Sequence, residues 1–579
     1  MAAARRVLDR RPASPGGTVS NQPWWRHAVI YQVYPRSWAD ADGDGVGDLP
    51  GITSRLEHLA DLGVDALWLS PFYVSPQNDG GYDVADFRDV DPLFGTLADL
   101  DALVARAHDL RLRVVVDVVP NHTSSEHPWF HAALAAGPGS PERARYVFRP
   151  GRGDDGSEPP NNWQSKFDGP AWTRTTDPDG SPGEWYLHLF DGSQPDLDWT
   201  NPEVHAELES VLRFWLDRGV DGFRIDVAHG LVKADGLPDA DLSLDETRDR
   251  SSLLPMWDQP GVHDVYRRWR ALVEEYRGTQ TALWGEDDDR MLCGEAWVQP
   301  AEALAAYVRP DELHQTFNFS FLMTPWRADA LRASVDDALA SAGAVGAPQT
   351  WVLSNHDVVR HATRLGRSDA TQVAEVEGIG PRDEQPDPVL GLRRARAATA
   401  LMLALPGSAY LYQGEELGLP DHTRLPDEVL QDPTFARSGG TRHGRDGCRV
   451  PVPWASDGPS LGFGPGEPWL PQPPGYADLA PGRQRGVEGS TLELYRRLLR
   501  VRRELGLGTA TLTWLPDAPP DVLALRLLDA DGTGVAEVRT NLSDAPVTLP
   551  AGEVLVASGD LDDGRLPSDT TVWTRLTGS

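Results

Sequence analysis

The chain has 579 residues, of which 40% are hydrophobic and 24% charged, and its formal net charge is −33. That length holds several domains or one large barrel with attachments, and the composition excludes wholesale disorder. So acidic a surface repels phosphate backbones, which argues against a nucleic-acid partner.

In chain order, residues 1–20 carry arginines with no apolar run behind them, so they read as a disordered tail and not as a secretory signal. Residues 28–38 (AVIYQVYPRSW) read as a buried strand. Pro50, Ile52, Leu56, Leu59 and Leu62 then mark a helix that Gly63 stops. A second strand starts at Ala66, and Leu97, Leu100, Val104 and Ala107 mark the next helix. Residues 113–120 (RVVVDVVP) form a continuous β-branched run, as in a strand covered on both faces. The strand–helix rhythm pauses over residues 123–194, which are rich in Pro, Gly, Asn and Trp, and this stretch reads as a small inserted domain. It resumes with strands predicted at 222–227, 291–295, 316–321, 351–354 and 410–413. Helices are predicted at 202–218, 263–276, 327–339, 392–405 and 492–505. Eight strands in this order predict an α/β protein built on a closed (β/α)₈ TIM barrel, residues 21–122 and 195–507. Short alternating strands after Gly508 predict a C-terminal all-β domain, a β-sandwich over 508–579.

In such a barrel the chemistry sits where strands end. There the sequence places Tyr82 and Asp83 after the second strand, and Asp117, Asn121 and His122 around the end of the third. Arg224 and Asp226 lie on the fourth, Glu295 on the fifth, and His356 and Asp357 on the seventh. Each aspartate taken singly is more readily a turn former or helix cap. Three carboxylates at three strand ends, with an arginine and two histidines, instead predict a polar pocket for acid–base or nucleophilic work. Cys293 and Cys448 fit no metal or redox spacing and read as isolated reduced thiols. No apolar run reaches the length of a membrane span. The expectation is a cytoplasmic monomer or homodimer without a membrane partner.

Four blocks, DVVPNH (117–122), GFRIDVAH (222–229), GEAW (294–297) and SNHD (354–357), resemble the α-amylase family of glycoside hydrolases. QPDLDW (194–199) and the opening WWRHAVIYQVYPRSWADADGDGVGDLPGI resemble its α-glucosidase and oligo-1,6-glucosidase branch. The resemblance implies Asp226 as nucleophile, Glu295 as general acid/base and Asp357 as a third carboxylate that binds sugar hydroxyls. It implies that Arg224 keeps Asp226 ionised while Glu295 keeps its proton in a drier site. His122 and His356 would donate to the sugar, Tyr82 would lie under its ring, Asp83 would anchor a hydroxyl, and Arg445 would close the pocket. Asp117 and Asn121 would orient neighbours. Ala228-His229 stands where many α-amylases have Lys-His, which argues against an extended cleft. Val227, directly after the nucleophile, resembles enzymes that accept α-1,6 bonds.

Asp40, Asp42, Asp44 and Asp48, with the carbonyl of Val46, have a spacing that suits Ca²⁺ or, equally, a solvated Asp-Gly turn. The branch carries a calcium loop of this form, so the resemblance implies a structural Ca²⁺ there and no organic cofactor. The implied activity is retaining, exo-acting hydrolysis of terminal α-glucosidic bonds in short oligosaccharides of the maltose or isomaltose type. Alternatives are a transglycosylating or isomerising relative, such as a trehalose synthase or a sucrose-active enzyme, and a catalytically inactive relative that acts as a binding partner.

Overall fold

The computed structural model describes residues 22–576 except 178, 245–249 and 369–377. The tail expected over 1–20 lies outside the described residues, as does part of the loop after the fourth strand. Eight parallel strands form one sheet: β1 (Val29–Val33), β2 (Ala66–Leu69), β3 (Arg113–Val118), β4 (Gly222–Ile225), β5 (Met291–Gly294), β6 (Gln315–Thr316), β7 (Thr350–Val352) and β8 (Ser408–Tyr412). Their order is β6-β5-β4-β3-β2-β1-β8-β7. The backbone N–H of Asn318, just past β6, donates to Thr350 O on β7 at 3.0 Å, which brings the two edges together. The result is the expected barrel.

Helices follow the strands on the outside: α1 (Leu49–Leu62), α2 (Leu97–Asp109), α3 (Pro202–Asp217), α4 (Val262–Glu274), α5 (Ala301–Ala306), α6 (Ala328–Ala344), α7 (Pro388–Ala404) and α8 (Thr491–Glu504). Their ends follow local chemistry. Asp48 caps α1 by accepting from Gly51 N–H, and Gly63 closes it at φ 99°. Thr96 and Asp99 form a capping box on α2. Two elements differ from expectation. The sixth strand is only two residues long, because Phe319–Met323 turns into a short helix capped by Asn318. And α5 is six residues of AEALAA, too short and too alanine-rich to show an apolar period.

Two apolar layers follow from the strand alternation. Inside the barrel lie Ile30, Trp68, Val115, Met291, Cys293, Phe317, Val352 and Tyr410, with Trp24 and Trp25 in the same cluster. Between strands and helices lies the larger core, which includes Tyr31, Leu67, Val114, Phe223, Leu292 and Leu411. Both cysteines are free and buried, and burial pushes the Cys293 thiol up to about 12, so it stays protonated and inert. No helix among the described residues is long and apolar enough to cross a membrane.

Between β3 and α3 the chain forms a three-stranded antiparallel sheet of Phe148–Arg149, Pro182–Leu187 and Trp172–Thr176. Past α8, residues 511–575 hold a five-stranded antiparallel sheet and a two-stranded ribbon of Val547–Thr548 with Arg565–Leu566. The strand Thr570–Arg575 of the larger sheet packs on α7, so the second layer here is largely helical. Trp573 is fully buried there and its indole donates to Ala400 O on α7 at 2.9 Å. Trp573→Ala removes that hydrogen bond and opens a large void, at a cost of about 3–5 kcal/mol. The variant is expected to unfold at a clearly lower urea concentration, with per-molecule activity preserved below that point.

Candidate active site

The site begins with strand register. Asp117 on β3 lies opposite Arg224 on β4, which lies opposite Cys293 on β5. Ile225 likewise pairs with Gly294, so Asp226 and Glu295 leave neighbouring strands at the same level. Backbone hydrogen bonds hold both exits: Asp226 N–H donates to Val118 O at 2.9 Å, and Glu295 N–H to Ile225 O at 2.8 Å.

Arg224 sits at the centre, its side chain 1% exposed. Its Nη1 contacts Asp117 Oδ1 at 2.9 Å and Asp226 Oδ1 at 2.7 Å, while its Nη2 lies 3.3 Å from Glu295 Oε2. One cation thus serves three carboxylates. Burial raises Asp226 well above the usual carboxylate range; Arg224 opposes the rise, while Glu295, Asp117 and Asp357 add to it. The Arg224 charge expected to keep Asp226 ionised is divided among three carboxylates. Burial likewise moves Asp117 up to about 6, against the pull of Arg224.

Glu295 is gripped at both oxygens. Oε2 accepts from Val227 N–H at 2.8 Å and Oε1 from the Trp297 indole at 2.9 Å. Val227 reaches this position with φ 45°, a left-handed conformation that is costly for a β-branched residue. Its side chain packs with Trp163, Leu254 and Trp257 in an apolar cluster between the inserted stretch and the loop after β4.

A second charge network forms the opposite wall. Arg445 contacts Asp79 Oδ1 at 2.7 Å, Asp357 Oδ1 at 3.0 Å and Asp432. Arg449 contacts Asp357 Oδ1 at 3.1 Å. Burial alone would raise Asp357, but His356, Arg445 and Arg449 outweigh it and hold the carboxyl well below its usual range. The Gln32 side-chain N–H donates to His356 Nδ1 at 2.6 Å, and the His356 ring stacks on Tyr82 at 5.2 Å and 6°. Burial keeps His356 far below its usual value and moves His122 down to about 4, so both are neutral donors at pH 7. The Tyr82 hydroxyl donates to Asp117 Oδ2 at 2.9 Å.

The structure therefore brings together Asp226, Glu295, Asp357, Tyr82, His122, Arg224, Val227, His356 and Arg445. It does not bring Asp83 to the pocket surface. Asp83 is fully buried, and its carboxylate accepts from Ser75 Oγ, Asn78 N–H and Asp79 N–H at 2.9–3.2 Å. It orders the loop that presents Asp79, and Asp79 is the carboxylate that meets Arg445. Sequence reasoning missed Asp79, Asp432, Arg449, Gln194 and Trp297. Asp79 is three residues before Tyr82, and Arg449 four after Arg445, so each lies close to a position already singled out. Gln194 Nε2 donates to Asp79 Oδ2 and lies 3.1 Å from His122 Nε2. Behind the pocket the Lys233 ammonium lies 2.6–2.8 Å from Gly230 O, Asp196 Oδ2 and Asn121 Oδ1, which ties the loop after β4 to both flanks of the inserted stretch. His229 stacks on Trp257 at 4.8 Å.

One side of the mouth is strapped. From the loop after β8, Arg437 pairs with Asp191 at 3.0 Å and Arg442 with Asp168 at 3.0 Å, both in the inserted stretch. Arg437 Nε also donates to Phe167 O at 3.0 Å, and the Arg445 guanidinium covers the Phe167 ring at 5.1 Å.

Away from the pocket, ligand oxygens of Asp40, Asp42 and Asp48 lie within 4.8 Å of one another, the one such metal-capable group among the described residues. Hard carboxylate oxygens are the ligand type Ca²⁺ takes, and three of them would supply part of its set of about six to eight. They also organise the loop unaided: Asp40 accepts from Gly43 and Gly45 N–H, and Asp48 from Ala41 and Gly51 N–H. Asp44 is exposed and outside this group, and its Oδ1 accepts from Val46 N–H at 2.8 Å. Gly45 has φ 92°, and a Cβ there would meet Glu467 O at 2.2 Å, so the loop fits only around glycine.

Comparison with known proteins matches this architecture. A protein of Rhizobium meliloti (strain 1021) named "Probable alpha-glucosidase" is 38% identical over 499 residues, 83% of each chain. The "Oligo-1,6-glucosidase" of Parageobacillus thermoglucosidasius is 33% identical over 584 residues, 93% of this chain and 95% of its own. The solved structure of the "alpha-glucosyl transfer enzyme, XgtA" superposes with a TM-score of 0.80 at 37% identity, covering 96% of this chain and all of its own. Residues 32–507 match the alpha-amylase catalytic domain, so the chain belongs to the alpha-amylase family of glycoside hydrolases.

Proposed function

We propose that this protein is a retaining, exo-acting α-glucosidase that releases glucose from the non-reducing end of short oligosaccharides of the maltose or isomaltose type. The carrying observation is the pair Asp226 and Glu295, one residue past neighbouring strands and in contact with one guanidinium. In the first step an Asp226 oxygen attacks the anomeric carbon, the bond from that carbon to the leaving oxygen breaks, and the proton of Glu295 goes to that oxygen. In the second, a water loses its proton to Glu295 and adds to the anomeric carbon, and the ester to Asp226 breaks. Asp79, Asp357, His122, His356 and Arg445 would hold the hydroxyls of the terminal sugar, with Tyr82 below the ring. The strap over Phe167 supports exo action, because it closes the side of the mouth next to Arg445 and Asp79.

The names of the two relatives favour hydrolysis. The likeness to a glucosyl transfer enzyme supports a second reading, in which a sugar or another hydroxyl compound replaces water. Linkage rests on Val227, whose methyl groups decide only about 1–3 kcal/mol between substrates. A cytoplasmic location and a monomer or homodimer belong to the same proposal. So does a structural Ca²⁺ held by Asp40, Asp42 and Asp48, with Asp44 and the Val46 carbonyl as further oxygen donors. The ion would supply positive charge that links these carboxylates, and the loop itself already positions α1 through the Asp48 cap.

Asp226→Ala is expected to lose nearly all release of glucose from maltose, isomaltose, sucrose and trehalose while keeping the parent's circular dichroism and melting temperature. Parent-like turnover would remove Asp226 from the nucleophile's role. The same substrate panel run on the parent separates hydrolysis from transfer, since transfer gives new oligosaccharides or isomers in place of glucose.

The acid limb of kcat/KM reports the carboxylate that must be ionised, and activity rises with pH through that limb. Asp117→Asn removes one negative neighbour and leaves more of Arg224 to Asp226. The limb is therefore expected to move to lower pH by about one unit. For the metal, thermal melting with excess chelator is expected to fall several degrees below melting with added Ca²⁺, and an unchanged melting point would count against the ion.

A further inference from the structure

Trp297 stands two residues beyond Glu295 and is half-buried. Its ring lies flat on Phe319, with centroids 4.1 Å apart and planes 9° apart. Phe319 leans in turn on Phe317, which belongs to the barrel interior. The short helix that carries Phe319 is fixed by the Asn318 cap. The indole is thus seated by packing that does not involve Glu295, and from that seat its N–H reaches Glu295 Oε1 at 2.9 Å.

We propose that Trp297 is a positioning residue for Glu295: its indole N–H fixes the carboxyl rotamer and favours the ionised form over the protonated one. This rests on the reading of Glu295 as the acid/base. An N–H donor strengthens when its acceptor becomes charged, so it stabilises the carboxylate. The other groups facing Glu295 are accounted for. Val227 N–H and Arg224 on β4 act in the same direction as Trp297. Asp226, just past β4 and on the same guanidinium, is the facing carboxylate and opposes them. Of the three favourable contacts, two come from the strand that also carries the nucleophile. Among the described residues, Trp297 is the donor that reaches Oε1 from the segment of Glu295 itself, so its N–H can be removed without disturbing Asp226. The acid must give up its proton in one step and regain it in the next, and a donor fixed on Oε1 limits how strongly the proton is held between them.

Trp297→Phe keeps a ring on Phe319 and deletes the donor. The test is the pH dependence of kcat/KM on whichever of maltose and isomaltose the parent cleaves faster. The alkaline limb, where the acid loses its proton, is expected to move to higher pH by about one unit. The acid limb and the melting temperature should stay with the parent. Phe319→Leu keeps the indole but loosens its seat, and should move the same limb in the same direction by less. This second variant decides the matter if Trp297→Phe does not fold. An alkaline limb that stays in place while kcat/KM falls would overturn the proposal and reduce Trp297 to packing. Glu295→Ala assayed on an aryl α-glucoside whose leaving group departs without acid help, with and without sodium azide as the replacement for base-activated water, separates the two levels. Lost turnover restored by azide keeps the acid/base reading, so that an unmoved limb counts against Trp297 alone. Parent-like turnover in Glu295→Ala without azide would overturn both.

Discussion

The site depends on one buried guanidinium. Arg224 lies between Asp117, Asp226 and Glu295, and all four groups are largely withdrawn from water. Three carboxylates this close could not all ionise without a cation among them, because unpaired buried charge is costly. The cation cannot sit elsewhere. Strand register sets Arg224 beside Asp117, and the two-residue period of the strand points Arg224 and Asp226 to the same side. Packing below holds the guanidinium up, since its face lies over Trp68, which is part of the barrel interior.

The ratio of cations to carboxylates then divides the labour between chemically identical side chains. On the Arg224 side one cation meets three carboxylates, and Asp226 holds its proton more strongly than a free aspartate. On the opposite wall Arg445 and Arg449 meet Asp79, Asp357 and Asp432, and both Asp357 and Asp432 are held well below the usual range. Asp357 and Asp432 in the wall that would grip sugar hydroxyls are therefore firmly ionised, whereas burial raises Asp79 against the pull of Arg445. The wall that would perform chemistry is poised closer to proton exchange. Neutral His122 and His356 add donors without adding charge.

Much of this was legible before any coordinates. The β-branched run at 113–118 and the regular strand–helix rhythm reveal parallel strands covered on both faces. Polar residues at the ends of such strands stand out because packing does not require them. What stayed hidden has a physical reason in each case. The helix Ala301–Ala306 shows no apolar period. Asp79 and Asp83 sit four residues apart in one turn, and residue type alone does not tell which carboxylate turns inward to backbone N–H groups and which faces the pocket. Asp432 and Arg449 flank Arg445 in a long loop without period, where only the folded path brings them to Asp357. Trp297 is one of 20 tryptophans, and nothing local marks the one whose indole meets a carboxylate.

The sequence by itself determined the architecture, the family and the three carboxylates at the strand ends, because those follow from periodicities and short blocks that act locally. Tertiary structure decided which charges share which partner. Proton affinity in a buried cluster depends on distances between residues a hundred or more positions apart, such as Asp117 and Arg224, or Asp79 and Arg445. Only closure of the barrel and docking of its long loops fix those distances.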